Sequence, residues 1–113
     1  MRKKSIYTLP VNGESDLNHW IIDAIQDIKG KNIVKLDLRS LDDAPADYFI
    51  VCEGDSSTQV KAISDNIGRK LRDKLGIHPN HTEGMDGAKW ILVDFFDTVV
   101  HVFYPEILAS YQI

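Results

Sequence analysis

Trp90-Ile91-Leu92-Val93-Asp94-Phe95-Phe96-Asp97-Thr98-Val99-Val100-His101-Val102-Phe103 consists of two runs rich in β-branched and aromatic residues, joined by a short turn. Side chains alternate across a strand, so a two-residue turn at Phe96-Asp97 sets every pairing. Phe95 then faces Thr98, Asp94 faces Val99, Leu92 faces His101 and Trp90 faces Phe103. In this register Ile91, Val93, Val100 and Val102 share a wholly apolar face that belongs under helices. The opposite face carries Trp90, Leu92, Asp94, Val99, His101 and Phe103. Two large aromatics, a carboxylate and an imidazole are an odd choice for a solvated surface, and an unpaired carboxylate is costly in a sealed core. Two readings stay open. Either Asp94 and His101, diagonal neighbours, satisfy each other under a loop, or the face is a partly open docking surface with an aromatic anchor. A one-residue slip of register would exchange the two faces.

Working outward, Leu17, Trp20, Ile21, Ala24, Ile25 and Ile28 form one stripe of an amphipathic helix, capped near Ser15-Asp16 and stopped by Gly30. Ile33–Leu38 reads as a strand. Tyr48-Phe49-Ile50-Val51-Cys52 is nearly continuous in apolar residues, the pattern of a strand covered on both faces. Ser56 and Gln59 make a capping box for a second helix. That helix has a buried stripe of Val60, Ile63, Ile67, Leu71 and Leu75, an outer pair Asp65–Arg69, and a stop at Gly76. Residues 77–88 read as a loop, and Pro105 opens a short last helix ending at Ile113. The expected order is α-β-β-α-β-β-α. This is an α/β (α+β) domain with a small mixed sheet and flanking helices over residues 16–113, behind a loose lead-in of residues 1–15. The second strand, second helix and third strand are expected to form a parallel βαβ crossover, and the last two strands an antiparallel hairpin.

The chain has 113 residues, room for one hydrophobic core. Its 43% hydrophobic and 27% charged residues exclude a mostly disordered chain. A net charge of −4 argues against binding nucleic acid by broad phosphate neutralisation. No apolar stretch reaches the roughly 20 residues of a membrane-spanning helix, and the first residues lack the apolar run of a secretory signal, so a cytoplasmic protein is expected. The charge is uneven: residues 57–75 sum to +3, and residues 78–113 to −4. An acidic C-terminal third would suit a basic partner, although on charge alone ordinary scatter over a solvated surface is the simpler account.

Catalytic patterns are weak. Cys52 is the single cysteine and lies inside an apolar strand, where a thiol is usually an inert small hydrophobe. His78 and His81 flank Pro79 with no third metal ligand set by spacing. Gly54-Asp55-Ser56-Ser57 could cradle a phosphate at a helix start, but no lysine follows, Asp55 repels anions, and helix capping explains the serines better. Asp94 and Asp97, three apart around a turn, do not share a strand face for joint magnesium chelation. Neither a metal nor a cofactor is implied.

The order and spacing of several pieces are those of a known family. They are Val34-Lys35-Leu36-Asp37-Leu38-Arg39, Ala46-Asp47-Tyr48-Phe49-Ile50-Val51, Ser56-Ser57-Thr58-Gln59-Val60-Lys61-Ala62-Ile63, His81-Thr82-Glu83-Gly84, and the hairpin quoted above. Over about residues 16–111 the chain resembles the ribosomal silencing factor, or Iojap-related, family. The resemblance implies a nucleotidyltransferase-like fold without a working transferase site, and a non-enzymatic role. It also implies a partner: a basic protein of the large ribosomal subunit, protein number fourteen, on the intersubunit face, where the bound factor sterically blocks subunit joining when nutrients are scarce. Relatives commonly carry glycine where Phe96 stands and threonine where Asp55 stands, and many extend the last helix beyond the equivalent of Ile113. On this basis the hairpin face is expected to dock, with Trp90 as apolar anchor among Leu92, Val99, His101 and Phe103. Asp94, Asp97 and Glu106 would pair with basic side chains, and His101 would orient Asp94. A homodimer through the same face is compatible with this. The rival is a small nucleotidyltransferase-like enzyme or nucleotide-binding protein that takes magnesium nucleotide near Gly54–Ser57.

Overall fold

The computed structural model describes the backbone of residues 2–5 and the full residues 16–105. The chain order is β1 (Arg2–Ser5), α1 (Asp16–Asp27), β2 (Lys31–Asp37), β3 (Tyr48–Glu53), α2 (Ser57–Leu75), β4 (His81–Glu83), β5 (Trp90–Asp94) and β6 (Thr98–Phe103). The strands form one mixed sheet in the order β1-β2-β3-β6-β5-β4. Only β3 and β6 run parallel; every other adjacent pair is antiparallel.

The helices form where the apolar stripes predict. In α1, Leu17, Ile21, Ala24 and Ile25 are buried, while Trp20 lies half-buried at the edge of the stripe. Gly30 follows the helix end, yet the left-handed residue is Lys29, with φ 63°. Glycine is needed at 30 for space: a β-carbon there would sit 2.3 Å from the Ile25 side chain. In α2, Val60, Ile63, Ile67 and Leu71 are buried, and the N-cap Ser56 accepts from the Gln59 amide at 3.1 Å. The reciprocal bond falls one residue earlier than in a standard capping box, from the Asp55 N–H to Gln59 Oε1. Gly76 closes the helix in the left-handed conformation, its N–H donating to the Arg72 carbonyl at 2.9 Å. The expected Asp65–Arg69 pair gives way to a bond from Arg69 to Asn66 Oδ1.

The two helices pack on each other through polar as well as apolar contacts. Lys70 bridges Asp23 and Asp27, each at 2.7 Å, and the buried Asn66 amide donates to the Ala24 carbonyl at 2.9 Å. Hydrogen bonds donated to Asp23 and Asp27 hold the Lys70 ammonium above its usual range, and the same bond from Lys70 draws Asp27 below the usual carboxylate range. Both helices cover one face of the sheet, that of Ile50, Cys52, Ile91, Val93, Val100 and Val102. Among the described residues no helix covers the other face.

Three expectations of sheet construction are corrected. The lead-in contains β1, whose register runs from Arg2 opposite Asp37 to Ser5 opposite Val34. Arg-Lys-Lys-Ser carries no apolar alternation, and an edge strand can form from backbone pairing alone, with lysine favoured there. For the same reason the exposed β4 was hidden in what reads as a loop. The crossover from β3 through α2 does not make β5 the parallel neighbour. β6 pairs with β3, and β5 lies beyond β6, antiparallel to it. The central slot goes to the strand that buries residues on both faces: β6 is buried at all positions but His101, whereas β5 has exposed Trp90 at its start. The C-terminal helix expected from Pro105 lies outside the described residues.

Candidate interaction surface

The hairpin register is the expected one, with Trp90 opposite Phe103, Leu92 opposite His101 and Asp94 opposite Val99. The turn closes through Phe95 N–H to the Thr98 carbonyl and Asp97 N–H to the Phe95 carbonyl, both at 2.9 Å. The second bond, with Phe96 at φ 72°, is the geometry of a γ-turn and explains why glycine would suit this position. Asp94 Oδ1 accepts from the Phe96 N–H at 2.7 Å, so the carboxylate braces the turn.

The face that no described helix covers has an aromatic centre. Trp90 is 38% exposed, and its ring centroid lies 4.8 Å from that of Phe103, which is only 6% exposed. The Trp90 indole N–H donates to His101 Nδ1 at 3.2 Å. His101 also stacks on Phe103 at 6.2 Å and meets Phe49 edge-on at 4.8 Å. His101 therefore supports Trp90; the expectation that it pairs with Asp94 is corrected, because Asp94 is committed to the turn. Accepting at Nδ1 requires that atom to be unprotonated, and burial pushes the imidazole pKa below its ordinary value. His101 is thus a neutral member of an aromatic plate.

Leu92 is half-buried and Val99 is 8% exposed, between the aromatics and the turn. Asp97 is exposed at the turn, and its carbonyl accepts the Asp47 and Tyr48 amides at 2.9 and 3.1 Å, tying the hairpin to β3. Glu106 lies outside the described residues. Parallel pairing adds residues that the hairpin alone does not reveal: Phe49, Val51 and Glu53 share this face beside Val99, His101 and Phe103, with Val34 and Leu36 next along. The signal for them was the apolar run 48–52. It does not mark a strand sealed on both sides, because its second face, Phe49 and Val51, is only half-buried. Acidic groups fringe the plate: Glu53, Asp94 and Asp97, with Glu83 paired to His81 at 2.7 Å on β4.

The other candidate sites resolve into structural roles. Cys52 is fully buried, and burial raises its thiol pKa to about 12, which removes it as a nucleophile. At the start of α2, Ser56 accepts from the Gln59 amide, Gln59 accepts from the Asp55 amide, and Asp55 pairs with Lys31 at 3.0 Å. Among the described residues no three His, Cys, Asp or Glu side chains gather as metal ligands, and no helix is long and apolar enough to cross a membrane.

The family described as "Ribosomal silencing factor during starvation" matches residues 12–113. Ribosomal silencing factor RsfS of Bacillus subtilis is 39% identical over 90 residues, covering 80% of this chain and 75% of the relative. RsfS of Halalkalibacterium halodurans is 35% identical over 98 residues, covering 87% and 82%. A crystal structure of a protein from Chromobacterium violaceum superposes with a TM-score of 0.79 at 37% identity, covering 86% of this chain and 79% of that one. Sequence motifs, sheet and relatives converge, and the chain belongs to the ribosomal silencing factor family.

Proposed function

We propose that this protein is a cytoplasmic, non-enzymatic repressor of translation that binds the large ribosomal subunit through the uncovered sheet face. Its partner is a basic ribosomal protein on the intersubunit side, and the bound chain bars the small subunit by bulk. The observation that carries this reading is the plate itself: exposed Trp90 seated on Phe103 and His101, with acids around it. An aromatic centre with a polar, charged rim is the arrangement that makes a small protein interface tight and selective. Trp90, Leu92, Val99, His101 and Phe103 supply the apolar centre, and Asp94, Asp97 and Glu106 meet arginine or lysine. Family membership supports ribosome association. The rival nucleotide site at Gly54–Ser57 is disfavoured by the Asp55 carboxylate, which repels anions, and by the capping that engages the Asp55 and Gln59 amides.

The test is subunit joining. Purified protein is incubated with large subunits, small subunits are added, and the mixture is resolved on a gradient. Separate subunits in its presence and joined ribosomes in its absence support the proposal; joining that proceeds with the protein bound refutes the steric mechanism.

A further inference from the structure

On the helix-covered side of the sheet, away from Trp90, a groove of about 360 Å³ runs between α2 and residues 78–85. Its size is that of a small-molecule site. Arg69 and Arg72 line one wall, one helical turn apart, with His78 across from them. Each guanidinium has five N–H donors, and the bonds to Asn66 and Asp73 engage one nitrogen of each, so donors remain. A pair of such forks suits phosphate oxygens. Asp65 and Thr82 add a carboxylate acceptor and a hydroxyl, the groups that bind sugar hydroxyls, and Met85 and Val93 give an apolar floor.

Gly68 lies on the edge of the groove. It sits in the middle of α2, where glycine costs about 1 kcal/mol relative to alanine. Packing does not require it, since a β-carbon there would meet no atom within 4 Å. What Gly68 does is leave the groove open between Asp65 and Arg72. A side chain larger than glycine at position 68 would extend into this open space, so the position controls access to the groove.

We infer that this groove binds a nucleoside phosphate, with Arg69 and Arg72 on the phosphate, Asp65 on the ribose hydroxyls and the base over Met85 and Val93. The site is separate from the sheet face and does not depend on the docking proposal. A single concave groove favours one small ligand over an RNA strand, which would need a longer basic track on a chain whose net charge is −4.

Calorimetric titration of the full chain with adenosine and guanosine mono- and diphosphates tests it, with inorganic phosphate and a short RNA oligonucleotide as comparators. Saturable binding of at least one nucleotide is expected, weakened about tenfold or more in the Arg69→Gln/Arg72→Gln protein. Gly68→Leu should also weaken binding by filling the groove while leaving the thermal midpoint unchanged or higher, which separates occlusion from unfolding. Four results overturn the proposal: no saturable nucleotide binding, binding indifferent to both variants, inorganic phosphate binding as tightly as any nucleotide, or binding confined to the RNA.

Discussion

Truncating Trp90 to alanine removes the part of the plate that the fold itself leaves uncovered. A tryptophan offers up to about 250 Å² of surface, so the exposed 38% is about 90 Å² available to a partner. At about 25 cal/mol per Å² this is about 2 kcal/mol of binding free energy, or roughly thirtyfold in affinity. The rest of the ring already packs on Phe103 and bonds His101, so Trp90→Ala should also lower folding stability, by about 1–2 kcal/mol. The assay is co-sedimentation with purified large subunits across a concentration series, with circular dichroism melts on the same samples. Trp90→Phe keeps a ring and loses the indole N–H, and is expected to bind between the two. A folded Trp90→Ala protein that binds within about threefold of the parent would refute the anchor assignment, and a loss of binding that merely tracks unfolding would leave the Trp90→Phe comparison to decide.

Replacing Phe96 by glycine relieves a side chain held at φ 72° and 68% exposed, and should raise stability by about 0.5–1 kcal/mol, or a few degrees in Tm; a lowered Tm contradicts the γ-turn argument. The Lys70–Asp23–Asp27 bridge should add stability across neutral pH. Asp27 titrates below its unfolded value, so its share is present above that value and lost as pH falls through the lower, folded one; Lys70 titrates above its unfolded value, so its share is lost as pH rises through the higher, folded one. Denaturant melts of Lys70→Met should therefore show a deficit at pH 7 that narrows at both extremes, and a constant deficit would argue against the bridge. For His101, burial lowers the folded pKa, so as pH drops from about 6.5 toward that lower value the unfolded chain takes up a proton the folded chain refuses, and stability is lost as pH falls. Nuclear magnetic resonance should show the Trp90 indole N–H shifting with the same midpoint as the His101 ring; a His101 midpoint at or above about 6.5 would contradict the lowering by burial, and an indole signal indifferent to the His101 titration would exclude the acceptor role.

Much of this protein follows from local pattern. The 3.6-residue stripes of α1 and α2, the stop at Gly76 and the alternation of the terminal hairpin are properties of neighbouring residues, and they determined the helices, the hairpin register and the division of Trp90 and His101 from Val93 and Val100. Tertiary structure decided what depends on distant partners. β1 and β4 exist because β2 and β5 present open edges to them, and their own residues carry no strand signal. The placement of β6 beside β3 brought Phe49 and Val51 into the plate, from about fifty residues away in the chain. Asp94 turned to the Phe96 amide and His101 to the Trp90 indole because a polar group takes whichever partner three-dimensional packing brings within reach, and spacing along a strand does not tell which of two neighbours that will be.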